Sequence, residues 1–257
     1  MDFSGKVVVI TGASSGIGAA CAAAFAQHSA ALVLVGRNRP NLERVAQQCR
    51  ELAGAEPLVL CADVSVDADV ERIVADTVDK LGRIDVLVNN AGITSVGGLG
   101  AGVAALDAVM ATNTRAPYLL AGLALPHLAR SRGNVVNVSS CLSTKPNTML
   151  MPYCMSKAAL DMFTKCLALE AGPQGVRVNA VNPGPVRTEI FRRAGVSAAD
   201  NERLYAGLEG ALPLGRVADA AEVADLVVYL ASARARSVTG ACYPIDCGLL
   251  LGENTTI

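Results

Sequence analysis

The chain has 257 residues, 52% of them hydrophobic, and a formal net charge of -1. This length fits one α/β domain with a sizeable core, and the near-neutral charge excludes an electrostatic footprint for nucleic acid or an anionic membrane. No apolar run approaches the roughly 20 residues of a membrane span, and two distant histidines, His28 and His127, exclude a His-rich metal site.

Eight cysteines occur without a C-x-x-C pair, and several lie in apolar runs. This usage indicates free thiols in a reducing compartment. The N-terminus lacks a secretory pattern, and Thr255–Ile257 matches neither a peroxisomal address nor a prenylation box. We therefore expect a cytoplasmic protein.

Short apolar runs alternate along the chain with segments of helical period. The predicted strands are Lys6–Thr11, Leu32–Val35, Leu58–Cys61, Val86–Val88, Val135–Val138, Val176–Val181 and Ala241–Ile245. The predicted helices are 17–28, 40–53, 67–81, 103–130, 154–171 and 219–232. Continuously apolar strands between helices indicate a parallel sheet covered on both faces. The sequence predicts a doubly wound α/β fold of seven strands in a single domain, 1–257, with its ligand at the carboxyl ends of the strands.

A glycine-rich segment follows the first strand and opens the first helix. It reads Thr11-Gly12-Ala13-Ser14-Ser15-Gly16-Ile17-Gly18. Glycines let a diphosphate approach the backbone, and a helix N-terminus presents free N–H groups and a positive dipole end to it. A plain loop is the alternative, but the strand–turn–helix context favours a dinucleotide site.

The second predicted strand ends in Gly36, Arg37 and Asn38. Folds that bind NAD usually carry an acidic residue there for the ribose 2′-hydroxyl, and none occurs from Ala31 to Asn41. A guanidinium can instead form a charge-assisted contact with a 2′-phosphate. Arg37 therefore predicts NADP(H) over NAD(H) by about 10- to 150-fold, unless it is a solvated loop arginine.

Tyr153 and Lys157 are separated by one helical turn and so share a helix face. A nearby ammonium lowers a phenol's pKa and makes it a usable general acid. Such a pair alone is common and means little. However, Ser139 and Ser140 follow the predicted strand Val135–Val138 and bring a hydroxyl to the same edge of the sheet.

These motifs together resemble the short-chain dehydrogenase/reductase family, over nearly the whole chain. The resemblance implies a Rossmann-type fold, no metal, and a catalytic tetrad of Asn113, Ser140, Tyr153 and Lys157. Ser140 is selected over Ser139 because the family keeps thirteen residues between the serine and the tyrosine. Asp246-Cys247-Gly248 departs from the family's usual Asp-Gly-Gly, and we expect this to affect a packing turn only.

The resemblance also implies a role for each residue. Tyr153 exchanges a proton with the reacting oxygen, Ser140 hydrogen-bonds that oxygen, Lys157 holds the ribose and lowers the Tyr153 pKa, and Asn113 positions a relay water. The implied cofactor-binding residues are Thr11, Gly12, Ser14, Ser15, Gly16, Ile17, Gly18, Arg37, Asn38, Asp63, Val64, Asn90, Ala91, Gly92, Tyr153, Lys157, Pro183, Gly184, Val186 and Thr188.

The least regular stretch, 189–216, has the composition of a mobile cover over the substrate; we call it the cover. Between Ser140 and Tyr153 lie Leu142, Met149, Leu150, Met151 and Pro152. If they line the pocket, the substrate is lipophilic, such as a steroid, retinoid, isoprenoid or aromatic ketone. They could equally pack against the cover or another subunit. Arg187, Arg192 and Arg193 could attract an anionic substrate or form a solvated face.

Three functions remain open at this point: a reductase or dehydrogenase of a lipophilic carbonyl or alcohol, a 3-oxoacyl carrier-protein reductase with Arg130 and Arg132 as docking candidates, and a non-enzymatic dinucleotide-binding scaffold. The complete tetrad argues against the third. Family members of this type imply a homotetramer, with a dimer as runner-up, packed through Leu119, Leu123, Phe163 and Leu167. Cys141 and Cys154, next to catalytic residues, are predicted to be buried and inert rather than pocket-facing.

Overall fold

The computed structural model describes residues 1–252. Residues 253–257, which include the C-terminal residues considered above, lie outside the described residues. The described chain forms a parallel sheet of seven strands in the order β3-β2-β1-β4-β5-β6-β7. The strands are β1 (Val7–Thr11), β2 (Ala31–Gly36), β3 (Leu58–Cys61), β4 (Val86–Asn89), β5 (Asn134–Val138), β6 (Arg177–Pro183) and β7 (Cys242–Ile245). The predicted Rossmann-type fold is confirmed.

Helices cover both faces of the sheet. They are α1 (Gly16–Gln27), α2 (Arg39–Ala53), α3 (Asp67–Leu81), α4 (Gly102–Met110), α5 (Ala116–Ser131), α6 (Met151–Ala171), α7 (Ile190–Arg193), α8 (Ala198–Ala211) and α9 (Ala220–Ala231). Among residues 1–252, none is both long and apolar enough to cross a membrane.

The two faces of the sheet form two cores because successive strand side chains point to opposite sides. Val8 and Ile10 pack with α1, α2 and α9, while Val7 and Val9 pack with α3, α5 and α6. The central strands β1 and β4 are buried on both faces, which explains why their sequences are apolar almost throughout. The strand order reverses on either side of β1, so the crevice between β1 and β4 opens at the carboxyl edge, where ligands bind in such sheets.

Two predicted elements differ from the structure. The predicted helix 103–130 is interrupted by a π turn, Ala111–Arg115, whose hydrophobic period is too close to that of an α-helix to be detected in sequence. The cover is more regular than predicted, since 198–211 forms α8. The Ser197 hydroxyl caps this helix by accepting from the Asp200 N–H at 3.1 Å, and Tyr205 buries its ring from it.

Candidate active site

The glycine-rich turn, Thr11–Gly18, lies at the carboxyl edge of the sheet between β1 and α1. A Cβ added at Gly18 would collide with Asn90 Nδ2 and the Gly12 carbonyl oxygen, so no side chain fits there. Asn90 Nδ2 donates to the Thr11 carbonyl at 2.8 Å, and Thr11 Oγ1 accepts from the Asn90 and Ala91 N–H groups at 3.0 Å each. The segment after β4 is thereby fixed against the turn after β1.

The N-terminus of α1 fits an anionic group. Its N-cap residue, Ser15, makes no side-chain capping bond, and its first turn holds no acidic residue. The first N–H groups of the helix therefore keep their donors free at the positive end of the dipole. Because these donors face the crevice beside Gly12–Gly18, the residues present fit the pyrophosphate of a nicotinamide dinucleotide.

Arg37 and Asp63 meet where β2 and β3 end. Arg37 Nη1 lies 3.3 Å from Asp63 Oδ2, and the arginine side chain is 66% exposed. Burial tends to raise the pKa of Asp63, but hydrogen bonds from Ser65 and the charge of Arg37 outweigh it and hold the pKa below its ordinary value. Asp63, which the resemblance assigns to the cofactor site, follows β3, so a carboxylate lies beside Arg37 although none occurs from Ala31 to Asn41.

Two other predicted cofactor residues use their side chains elsewhere. Asn38 Oδ1 accepts from the Asn41 N–H at 2.9 Å and caps α2. Val64 is buried in the core. Either residue therefore offers a ligand mainly its backbone.

Asn113 lies in the π turn and is fully buried. Its Oδ1 accepts from the Ile93 N–H, and its Nδ2 donates to the Ile93 carbonyl, each at 2.9 Å. Nδ2 also donates to Ser156 Oγ at 3.0 Å. Both amide hydrogens are thus engaged, so the side chain fixes the strand-end segment Gly92–Ile93, and a relay water can bind Asn113 only through an oxygen atom.

The two serines after β5 are used differently. Ser139 Oγ donates to the Lys157 carbonyl at 3.2 Å, which ties β5 to α6. Ser140 Oγ accepts from the Leu142 N–H at 3.1 Å and lies near enough to the Tyr153 phenol to oppose the rise of its pKa. The hydroxyl beside the tyrosine is therefore that of Ser140.

Tyr153 and Lys157 share one face of α6, but the expected effect of the lysine on the phenol is wrong for the described structure. Burial raises the pKa of Tyr153 to about 12, although Ser140 opposes the shift and part of the residue remains accessible. Lys157 Nζ lies 5.5 Å from the ring centroid and donates to the Val138 carbonyl at 2.7 Å. Desolvation of the phenol is the largest cause of the shift, and Lys157 is not among the groups that lower this pKa.

Lys157 is itself strongly perturbed. Burial lowers its pKa to about 8, and the negative charge of Asp161 opposes this shift. Asp161, one turn further along α6, accepts from Asn182 Nδ2 at 2.8 Å. Asn182 Nδ2 also lies 3.1 Å from the Ser140 carbonyl. Asp161 was missed in the sequence, although its spacing of four residues from Lys157 was a usable signal.

The turn after β6 joins the catalytic centre to the cover. The Gly184 N–H donates to the Ile245 carbonyl at 3.0 Å. The Thr188 N–H donates to the Tyr205 hydroxyl at 3.2 Å, and that hydroxyl donates to the Val186 carbonyl at 2.9 Å. Pro183 ends β6 next to Gly184, so the predicted cofactor-binding residues of this turn lie together.

The thiols beside the catalytic residues differ in exposure. Cys141 is buried, and burial raises its pKa to about 11, while Cys154 is partly exposed. All eight cysteines are free thiols. Cys247 adopts a positive φ of 54°, as expected for a turn where the family often has glycine.

Comparison with known proteins gives consistent matches over nearly the whole chain. A family model described as "Enoyl-(Acyl carrier protein) reductase" matches residues 12–250. The chain is 36% identical to an L-fucose dehydrogenase of Bos taurus, over 97% of this chain and 91% of the relative. It is 35% identical to a 3-oxoacyl-[acyl-carrier-protein] reductase of Thermotoga maritima, over 98% of this chain and 100% of the relative.

A solved structure from Caenorhabditis elegans, a short-chain dehydrogenase/reductase of unknown function with cofactor, superimposes with a TM-score of 0.94. It is 30% identical to this chain, and the match covers 98% of both chains.

Proposed function

The chain belongs to the short-chain dehydrogenase/reductase family, and we propose that it interconverts a secondary or primary alcohol and its ketone or aldehyde with NADP(H), using Tyr153 as general acid/base. The family establishes an oxidoreductase that uses a nicotinamide dinucleotide. The observation that carries the finer proposal is the convergence of Tyr153, Ser140 and Lys157 at the carboxyl edge, beside the anion-binding turn.

The bound dinucleotide supplies or accepts a hydride at its nicotinamide C4. The chain's own residues handle the proton. With a pKa raised to about 12, the Tyr153 phenol holds its proton at neutral pH, as the donor of a reduction must. Ser140 donates a second hydrogen bond to the substrate oxygen that receives the proton, and stabilises the negative charge that develops on that oxygen.

Lys157 resupplies or removes the proton. Its pKa of about 8 allows it to change charge near working pH. Among the described residues only the Val138 carbonyl accepts a hydrogen bond from Nζ, so two N–H donors remain available for the ribose hydroxyls of the cofactor. Asn113 acts by fixing Ile93, and Asp161 acts by its charge on Lys157.

NADP(H) is proposed over NAD(H) because Arg37 provides a cation beyond β2. The exposed pair with Asp63 is worth no more than about 1 kcal/mol, which is less than the roughly 1.5–3 kcal/mol of a charge-assisted contact with a phosphate. A 2′-phosphate can therefore compete for the guanidinium, at the lower end of the range expected from the sequence.

A lipophilic substrate is the first candidate, because the rim between Ser140 and Tyr153 presents apolar side chains, with Met149 53% exposed. A polyhydroxylated substrate is the second. Thr94 Oγ1 and Ser95 Oγ are buried without a hydrogen-bond partner among the described residues, just after the segment that Asn113 fixes. Such hydroxyls are satisfied by a substrate's own hydroxyl groups.

The docking candidates of the carrier-protein alternative lie away from the active site of their own chain. Ser131 Oγ donates to the Ile84 carbonyl at 2.8 Å, and Arg132 lies against Gly175. Ile84 lies just before β4 and Gly175 just before β6. The end of α5 therefore lies at the amino edge of the sheet. Arg130 and Arg132 therefore lie opposite the active site, because the crossover helix runs antiparallel to its strands.

The test follows the absorbance of NADPH and of NADH during turnover, with the same panel of candidate substrates for each cofactor. The panel contains a steroid, an aromatic ketone, L-fucose, retinal and a 3-oxoacyl thioester. Turnover of lipophilic carbonyls with NADPH supports the first candidate. Turnover of the sugar alone supports the second, and no turnover with any member contradicts the proposed activity.

We also propose a cytoplasmic homotetramer. Of the predicted contact residues, Leu167 is buried in the core, while Leu119, Leu123 and Phe163 are partly buried and keep some exposed surface. Neighbouring side chains on the same helices are exposed instead, namely Tyr118, Met162 and Leu169. A stable monomer in sedimentation at micromolar concentration would contradict both tetramer and dimer.

A further inference from the structure

The cover and the residues beside it contain five arginines, and four of them pair with carboxylates. Arg187 pairs with Glu202 and Glu209, Arg192 with Glu189, Arg203 with Asp200, and Arg216 with Glu222. Within the described residues, Arg193 has no carboxylate partner. Its Nη2 donates instead to Ser15 Oγ at 2.8 Å, across 178 positions of sequence.

This contact lies on the anion-binding turn. Ser15 is the N-cap of α1 and makes no capping bond of its own. The residue just before the cover reaches the same place, since a Cβ at Gly16 would lie 3.1 Å from Thr188 Cγ2. An unneutralised guanidinium beside the positive end of a helix is electrostatically unfavourable, and an anion between them removes the conflict.

The position along the turn indicates which anion. Ser14 marks the ribose end, because a Cβ at Gly36 would lie 3.6 Å from its hydroxyl. Gly16 marks the other end, against Thr188. Arg193 contacts Ser15 between them, next to the free N–H groups of α1.

We propose that Arg193 is a cofactor-binding residue that contacts the pyrophosphate of the dinucleotide and thereby couples cofactor binding to the position of the cover. This inference rests on the proposed function and goes beyond it, because it assigns to the cover a role toward the cofactor. A pyrophosphate is common to NAD(H) and NADP(H), so Arg193 contributes to affinity for both, whereas Arg37 contributes to discrimination between them.

The experiment measures dissociation constants by calorimetry for NADPH, NADH and ADP-ribose, with the full chain in 50 mM and 300 mM salt. We expect Arg193→Ala to weaken all three ligands alike by about 10-fold at low salt, and by less at high salt because the contact is exposed. Arg192→Ala is the matched control one residue earlier, where Glu189 already neutralises the charge, and we expect a change below about two-fold. Arg193→Lys should restore part of the affinity.

An Arg193→Ala variant that binds all three ligands like the parent would overturn the inference. Weakening of NADPH alone would also overturn it, since this assigns the guanidinium to the 2′-phosphate. A parent that binds none of the three ligands would contradict the proposed function itself, so the two failures are distinguishable.

Discussion

The catalytic centre and the cover differ in how their polar side chains are partnered. In the centre, buried groups bond across elements distant in sequence: Lys157 to Val138, Asn113 to Ile93, and Ser139 to Lys157. In the cover, exposed arginines pair with nearby carboxylates on the surface. Buried bonds of the first kind are costly to break, while exposed pairs are worth about 0–1 kcal/mol.

The contrast predicts different effects for substitutions in the two regions. The buried groups hold one another in fixed geometry, and burial shifts the pKa values of Tyr153 and Lys157, so substitutions there should alter turnover or folding. Substitutions of Arg37 and Arg193, which form the charged rim, should alter cofactor affinity and leave the chemical step unchanged. Substitutions on either side can therefore break or sharpen the comparison.

Tyr153→Phe should have the largest effect. The ring and its packing remain, but the proton donor is lost, so kcat should fall by about 10² to 10⁴. Steady-state kinetics measures this, and calorimetry with NADPH provides the control, with a dissociation constant within about two-fold of the parent. Turnover within a few-fold of the parent would remove Tyr153 from the catalytic role.

Gly18→Ala should destabilise the protein by about 2 kcal/mol or more, because its Cβ collides with Asn90 Nδ2 and the Gly12 carbonyl. Gly207→Ala is the matched control in α8 of the cover, where nothing lies within 4 Å of the added Cβ. It should be neutral or stabilise by about 0.5–1 kcal/mol. Urea denaturation compares the two, and equal effects would contradict the difference in packing between the regions.

Lys157→Met should increase the free energy of unfolding of the cofactor-free protein at pH 6.5 by about 1–3 kcal/mol. Burial lowers the pKa of Lys157 from 10.5 to about 8, so burying the charge costs most below pH 8. Between about pH 8 and 10.5 the unfolded chain binds more protons than the folded chain, and the parent's stability gains on the variant's as pH rises. The advantage of the variant should therefore vanish near pH 10.5. An advantage that is constant with pH would show that Lys157 titrates normally.

Arg37→Ala should have the smallest effect. The parent's ratio of kcat/KM for NADPH over NADH should be near 10, because the guanidinium must be shared with Asp63. The variant should lower that ratio toward one by weakening NADPH, with kcat nearly unchanged. A parent ratio of one or less would place Arg37 outside the cofactor site.

The sequence was most informative where local pattern and buried function coincide. A regular period or spacing along the chain marks three features: the seven strands, the turn Thr11–Gly18 and the pair Tyr153–Lys157. The pKa of Tyr153 was misjudged, because spacing reveals a neighbouring charge but not the degree of burial.

Contacts between distant segments were beyond the sequence. The pairing of Arg37 with Asp63 depends on strand register, and the contact of Arg193 with Ser15 depends on how the cover folds back. The π turn that orients Asn113 carries no pattern of its own, and the location of Arg130 and Arg132 at the amino edge follows only from the crossover.

The central claim is that the buried centre passes a hydride between the nicotinamide and a carbonyl carbon while Tyr153 supplies the proton. The most direct test uses NADPH carrying deuterium in both C4 positions, with the best substrate of the panel, and locates the label by mass spectrometry and NMR. We expect one deuterium on the carbinol carbon in the parent and almost no labelled product from Tyr153→Phe in the same time. Unlabelled alcohol from the parent, or equal labelling by Tyr153→Phe, would contradict it.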